Sequence, residues 1–165
     1  MTDGRWFDVD ADIRAAVDHF RRSVALHGQG GFDAAGLEGY KAQMALMHSL
    51  QSGHTSLEGA LVRILEMLGE ERPVGDNWHA DLIRRAAAPM PNSRPAILSE
   101  SLALAADETR RFRHIATHNY DNFRVEAALP TVEAARLLAD GLAAEIAAFK
   151  DVIDQPGDES SGLAR

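Results

Sequence analysis

Met47, Leu50, His54, Leu57, Leu61, Ile64 and Leu68 recur at alternating intervals of three and four residues. That spacing falls on one side of an α-helix and on neither face of a β-strand. The stripe commits residues 37–69 to one long helix, or to two nearly collinear ones, with an apolar side that other elements must cover.

The rest of the chain supplies matching cover. Ile13, Val17, Phe20, Val24 and His27 repeat at four, three, four and three, which predicts a helix over residues 8–27, ended by the glycines of "GQGGFDAAG". After "EERPVGDN", Asp76 or Asn77 is placed to cap a short helix running through Arg85. "APMPNSRP" reads as a loop, because each proline removes a backbone donor and biases its predecessor away from helix. A fourth helix begins with Ser99 as N-cap and turns Leu102, Ala105, Thr109, Phe112 and Ala116 inward. The last is expected to start at Pro130, a favoured first-turn residue, and to bury Leu138, Leu142, Ile146, Phe149 and Ile153.

Ala and Leu dominate a hydrophobic fraction of 45%, and aromatic residues make up 6%. With no strand pattern and no internal repeat, the expectation is an all-α, up-and-down bundle of four to five helices spanning residues 1–155. Residues 156–165, "PGDESSGLAR", are polar and are read as a disordered tail.

Composition also removes functions. Cys is absent, which excludes disulfides, thiolate metal sites and cysteine nucleophiles together. The acidic start "MTDGRWFDVDADIR" is not a signal peptide, and no run approaches the ~18 apolar residues of a membrane span, so no membrane role and a cytoplasmic location are expected. The net charge of −8 argues against broad nonspecific nucleic-acid binding. A local basic site is still compatible with it, since Arg84, Arg85, Arg94, Arg110, Arg111 and Arg113 cluster in sequence and would suit one electropositive cleft.

The densest chemistry lies in "FRHIATHNYDNF", residues 112–123. At about 100° per residue from Phe112, Arg113 lies near 100°, Arg110 near 160°, His114 near 200°, His118 near 240° and Arg111 near 260°. All of them point away from the helix's own core stripe. Arg113 and His118 straddle that polar face, and a second copy docked against it would bring such groups together. Histidine titrates near neutrality and an arginine fork grips phosphate, so the set suits phosphodiester cleavage in RNA without a metal. The plainer alternative is a solvated face or an interface patch of salt bridges.

Other polar residues have structural and functional readings side by side. His54 sits on the core stripe and reads first as a hydrogen-bonded interior histidine. Glu58, one turn on, reads as an exposed helix carboxylate or as a partner for Arg113. Trp78, beside His79, covers the end of the core or stacks on a base. Arg84 and Arg85 are solvated or hold phosphates. No metal motif of the His-Glu-x-x-His or Glu-x-x-His kind occurs, and no carboxylate joins His114 and His118 on their helix, so neither a metal nor a cofactor is expected.

Arg113, His118 and Tyr120 together form R-x4-H-x-Y, which resembles the signature of HEPN domains and specifically of HepT-type ribonuclease toxins. The likeness extends over about residues 36–155 through "HTSLEGALVRIL", "NWHADLIRRAA", "RPAIL", "RRFRHIATHNYDNF" and the final helix. It implies a helical homodimer that cleaves RNA at a cleft between subunits, with Arg113 and His118 catalytic. His114, four residues before His118 on the same side of the helix, reads as a second proton carrier or an orienting group, and with Tyr120, Arg110 and Arg111 it would support the site or contact RNA. It also implies a minimal nucleotidyltransferase antitoxin as partner, which in some such systems modifies the motif tyrosine, here Tyr120, with AMP. The alternative is a noncatalytic helical subunit that binds a nucleotidyltransferase or its substrate.

Overall fold

A computed structural model describes residues 4–118 and 123–155, in which every regular element is a helix and no strand occurs. A 3-10 turn, Gly4–Trp6, leads into α1 (Phe7–Gln29), followed by α2 (Leu37–Met67), α3 (Trp78–Ala87), α4 (Glu100–His118) and α5 (Val125–Asp154). The tail expected at residues 156–165 lies outside the described residues.

The long stripe forms one uninterrupted helix. Met47, Leu50, His54, Leu57, Leu61 and Ile64 are all buried on α2, and Gly36 precedes it at φ 68°, a left-handed backbone that a β-carbon would strain. α1 packs on α2 and α5, and α4 packs on α5 and α2, so the four long helices close a ring in chain order around one core. Consecutive long helices are therefore neighbours, which is the connectivity of an up-and-down bundle. α3 is an addition laid across α4 and α2.

Two contacts set how closely α1 and α2 approach. A β-carbon at Gly53 would come within 2.7 Å of the Phe20 ring, so the helices cross where one has no side chain. Beside that crossing, Ser23 donates to Ser49 at 2.8 Å inside the core. At the far end, buried Trp6 meets the edge of Phe149 and its indole N–H donates to Asp154, tying the first turn to the end of α5.

Ser99 caps α4 as expected, its hydroxyl accepting the Leu102 N–H at 3.3 Å. Asn77 occupies the N-cap of α3 with no side-chain cap bond. The expected start of the last helix at Pro130 is corrected: α5 begins at Val125, with Pro130 inside it. The proline removes the N–H that would have reached the Glu126 carbonyl. Glu126 is exposed, so water can serve that carbonyl and the helix continues.

The basic residues between 84 and 113 do not form one cleft. Arg94 is buried, and its guanidinium donates to Glu70 and to the carbonyls of Ala88, Pro95 and Arg85. It pins the loop after α3 to the segment following α2. Arg84 pairs with Asp81 on the surface, and Arg85 donates to the Glu71 carbonyl. Arg110 and Arg113, by contrast, share a cavity.

Candidate functional site

The last two turns of α4 face the start of α3 across a cleft of about 450 Å³. α4 contributes Arg110, Arg113, His114, Thr117 and His118, while Asp76, Asn77, His79 and Ala80 form the opposite wall. The helical rotation that separated Arg113 from His118 in sequence thus leaves them on one cavity, because α3 closes over the polar face that they straddle.

Arg113 is held from below. Its Nη1 donates to Glu58 Oε1 at 2.9 Å, and the Glu58 side chain is only 6% exposed. The carboxylate reading as an exposed helix residue is therefore corrected. Position 58 turns into the junction of α2, α3 and α4, where Glu58 Oε2 also accepts a hydrogen bond from His79 Nδ1. Arg113 makes no other side-chain bond among the described residues, and its side chain is 35% exposed. Four of its five N–H groups remain for a ligand by the guanidinium's donor count.

Behind Glu58 lies His54, fully buried, as its interior reading expected. The Thr109 hydroxyl donates to the Ala106 carbonyl, so it accepts from His54 Nδ1 at 2.8 Å, which puts a proton on Nδ1. Nε2 has no hydrogen bond and stands 3.5 Å from Glu58 Oε1. Burial pushes the Glu58 carboxyl upward, but His54 and His79 outweigh that effect and hold it below its ordinary range. The ionised carboxylate is thus the anchor for every cation and ring around it.

The two histidines of α4 are arranged by their own helix. His118 Nδ1 lies 2.9 Å from the His114 carbonyl, an acceptor, so Nδ1 carries the proton and Nε2 is the nitrogen left to act. The rings of His114 and His118 sit 4.4 Å apart, and the Thr117 hydroxyl donates to the Arg113 carbonyl at 2.7 Å. On the opposite wall the His79 ring stacks on Trp78 at 3.7 Å, and Arg72 lies over the Trp78 ring at 5.0 Å.

Arg110 and Arg111 both bond Asp107, Arg110 from the cleft and Arg111 from the outer surface. Burial raises the Asp107 carboxyl and the two arginines more than reverse that, leaving it below its ordinary range. Tyr120 lies outside the described residues. Among the described residues no group of three or more His, Asp or Glu is placed to hold a metal ion. No helix among them is long and apolar enough to cross a membrane.

The cleft can thus bind an anion through Arg113 and exchange protons through imidazole nitrogens. Sequence reading overlooked His79 as a cleft residue, because its partner Glu58 lies 21 residues upstream on another helix. The available signal was the i, i+4 spacing of His54 and Glu58, which sets a carboxylate beside a core stripe.

A family model described as HepT-like protein matches residues 45–153, from within α2 almost to the end of α5. No curated protein and no solved structure matches the chain.

Proposed function

This chain belongs to the HepT-like family, and on that premise we propose that it is a metal-independent endoribonuclease, the toxin of a type II toxin–antitoxin pair. The observation that carries the reading is the convergence of Arg113 and His118 on one cleft, with Arg113 anchored by a buried carboxylate and its remaining donors unspent.

In this reading the scissile phosphate docks on Arg113, whose fork neutralises the charge that builds on the phosphoryl oxygens. His118 acts through Nε2, as the base that takes the 2′-hydroxyl proton or as the acid that protonates the departing 5′-oxygen. Attack by the 2′-oxygen gives a 2′,3′-cyclic phosphate and a free 5′-hydroxyl, so only RNA can react. His114 and Arg110 line the path of the strand, while Arg111, turned to the outer surface, contacts RNA beyond the cleft. Tyr120 completes the motif, and AMP placed there by a minimal nucleotidyltransferase antitoxin would block the cleft by bulk and charge.

A homodimer fits the outer surface. Leu104 and Ile115 of α4 are 64% and 60% exposed, and Leu129 and Leu137 of α5 are also exposed. On the helix projection, Leu104 and Ile115 fall near 280° and 300°, on the same side of α4 as His118. A second copy seated on that stripe would bring the two motifs close together. The proposed setting is the cytoplasm, where RNA and such an antitoxin meet.

Expression in a bacterial host tests the toxin reading. Growth arrest relieved by His118→Ala, and by co-expressing the partner nucleotidyltransferase, is the expected result. Arrest that survives His118→Ala contradicts the motif's role, and unaffected growth favours the noncatalytic binding subunit.

A further inference from the structure

RNA transesterification moves two protons, one off the 2′-oxygen and one onto the 5′-oxygen; His118 accounts for one of them, and His114 stands beside it on the same wall of the cleft. We propose that His79, on the opposite wall, is the second proton carrier of this cleft; the inference rests on the ribonuclease reading above.

Three observations support it. His79 lines the same cavity as Arg113 and His118 but enters from α3, so the two imidazoles approach bound phosphate from different walls. Its Nδ1 is committed to Glu58, an ionised carboxylate that can only accept, so Nδ1 keeps its proton and Nε2 is the exchanging nitrogen. The ring is also fixed in plane by its stack on Trp78. A histidine oriented by a carboxylate at one nitrogen and free at the other is the arrangement that holds an imidazole in one tautomer through a proton transfer. Glu58 serves both functions at once, since the same carboxylate holds Arg113.

In the step, Nε2 of one ring takes the 2′-hydroxyl proton as the 2′-oxygen bonds phosphorus. The phosphorus–5′-oxygen bond then breaks, its electron pair stays with the 5′-oxygen, and Nε2 of the other ring supplies that oxygen's proton. Solvent returns the two rings to their starting states.

The groups that set the local field on His79 are Glu58 from α2, Asp76 from the preceding loop, and Arg110, Arg113 and His114 from α4, besides His118. His79→Asn leaves these residues in place, and its side-chain amide can still donate to Glu58 while the titratable nitrogen is lost.

The experiment is single-turnover cleavage of a short RNA in EDTA across pH 5–9, comparing the full-length parent with His79→Asn and His79→Gln. Thermal melting of each variant and binding of a 2′-deoxy analogue run alongside. The expected result is a bell-shaped parent profile that keeps only one limb in the variants, a rate reduced ~10²-fold or more, and analogue binding close to the parent's. Added imidazole should recover part of the rate in His79→Ala. Variant rates within about threefold of the parent, with both limbs intact, overturn the role of His79 while leaving the ribonuclease reading in place. No cleavage by the parent overturns both.

Discussion

Two carboxylates, the buried Glu58 and the part-buried Glu70, each grip an arginine, and they end in opposite situations. Glu70 meets Arg94, whose five bonds all go to protein oxygens and whose side chain is 1% exposed. Every donor is used, and the pair fastens the loop after α3 in place. Glu58 collects Arg113, His79 and the edge of His54, yet Arg113 retains most of its donors and both it and His79 border a cavity. A saturated pair has nothing left for a ligand, whereas an anchored pair with spare donors is ready to bind one. A buried ion pair is by itself weak evidence of stability or of function, and the count of uncommitted donors separates the two cases.

The largest effect should come from breaking the saturated pair. Arg94→Ala leaves the part-buried Glu70 charge without its partner, strips donors from three carbonyls and empties a buried side-chain site, so urea unfolding should show a loss of ~3–5 kcal/mol. A loss under about 1 kcal/mol would remove the contrast between the two sites. Next comes Arg113→Ala, expected to slow RNA cleavage ~10²–10³-fold, with a smaller stability loss of under about 2 kcal/mol because His79 still donates to Glu58. Equal stability losses in the two arginine variants would mean that Arg113 is scaffold too.

Glu58→Gln should cost about 1–3 kcal/mol at neutral pH, and the cost should depend on pH. The folded carboxyl lies below its unfolded value, so its stabilisation is complete above about pH 4.3 and fades as pH falls through the folded value. Denaturation of parent and variant at pH 7 and at pH 3 should therefore show the gap closing in acid. A gap that widens in acid would reverse the sign of the assignment. The smallest effect belongs to Asp107→Asn, which removes half-exposed pairs with Arg110 and Arg111 and should change stability by less than ~1 kcal/mol. It releases Arg110 within the cleft, so RNA binding should change more than melting does.

Much of the bundle was legible because apolar periodicity is local. The stripes on α1, α2 and α4 sit where their three-and-four spacing puts them, and the Ser99 cap needed only its neighbours. The start of α5 was misplaced because Pro130 resembles a first-turn signal, while the exposed turn before it tolerates a missing donor. The arginines at 84–113 were close in sequence, but they are spread over a short helix, a loop and a long helix, so the chain carries them to separate places. Arg113 and His118 were readable as a set from their spacing. The Glu58–Arg113 pair was legible as one of two alternatives for position 58, but the tie of Glu58 to His79 was not, because it is a contact between helices that periodicity cannot register.

The most direct test is incubation of purified protein, free of nucleotide modification on Tyr120, with end-labelled tRNA in EDTA, beside Arg113→Ala and His118→Ala. Cleavage by the parent alone, leaving 2′,3′-cyclic phosphate ends, is the expected result. Intact RNA with the parent, or equal cleavage by all three proteins, would contradict it.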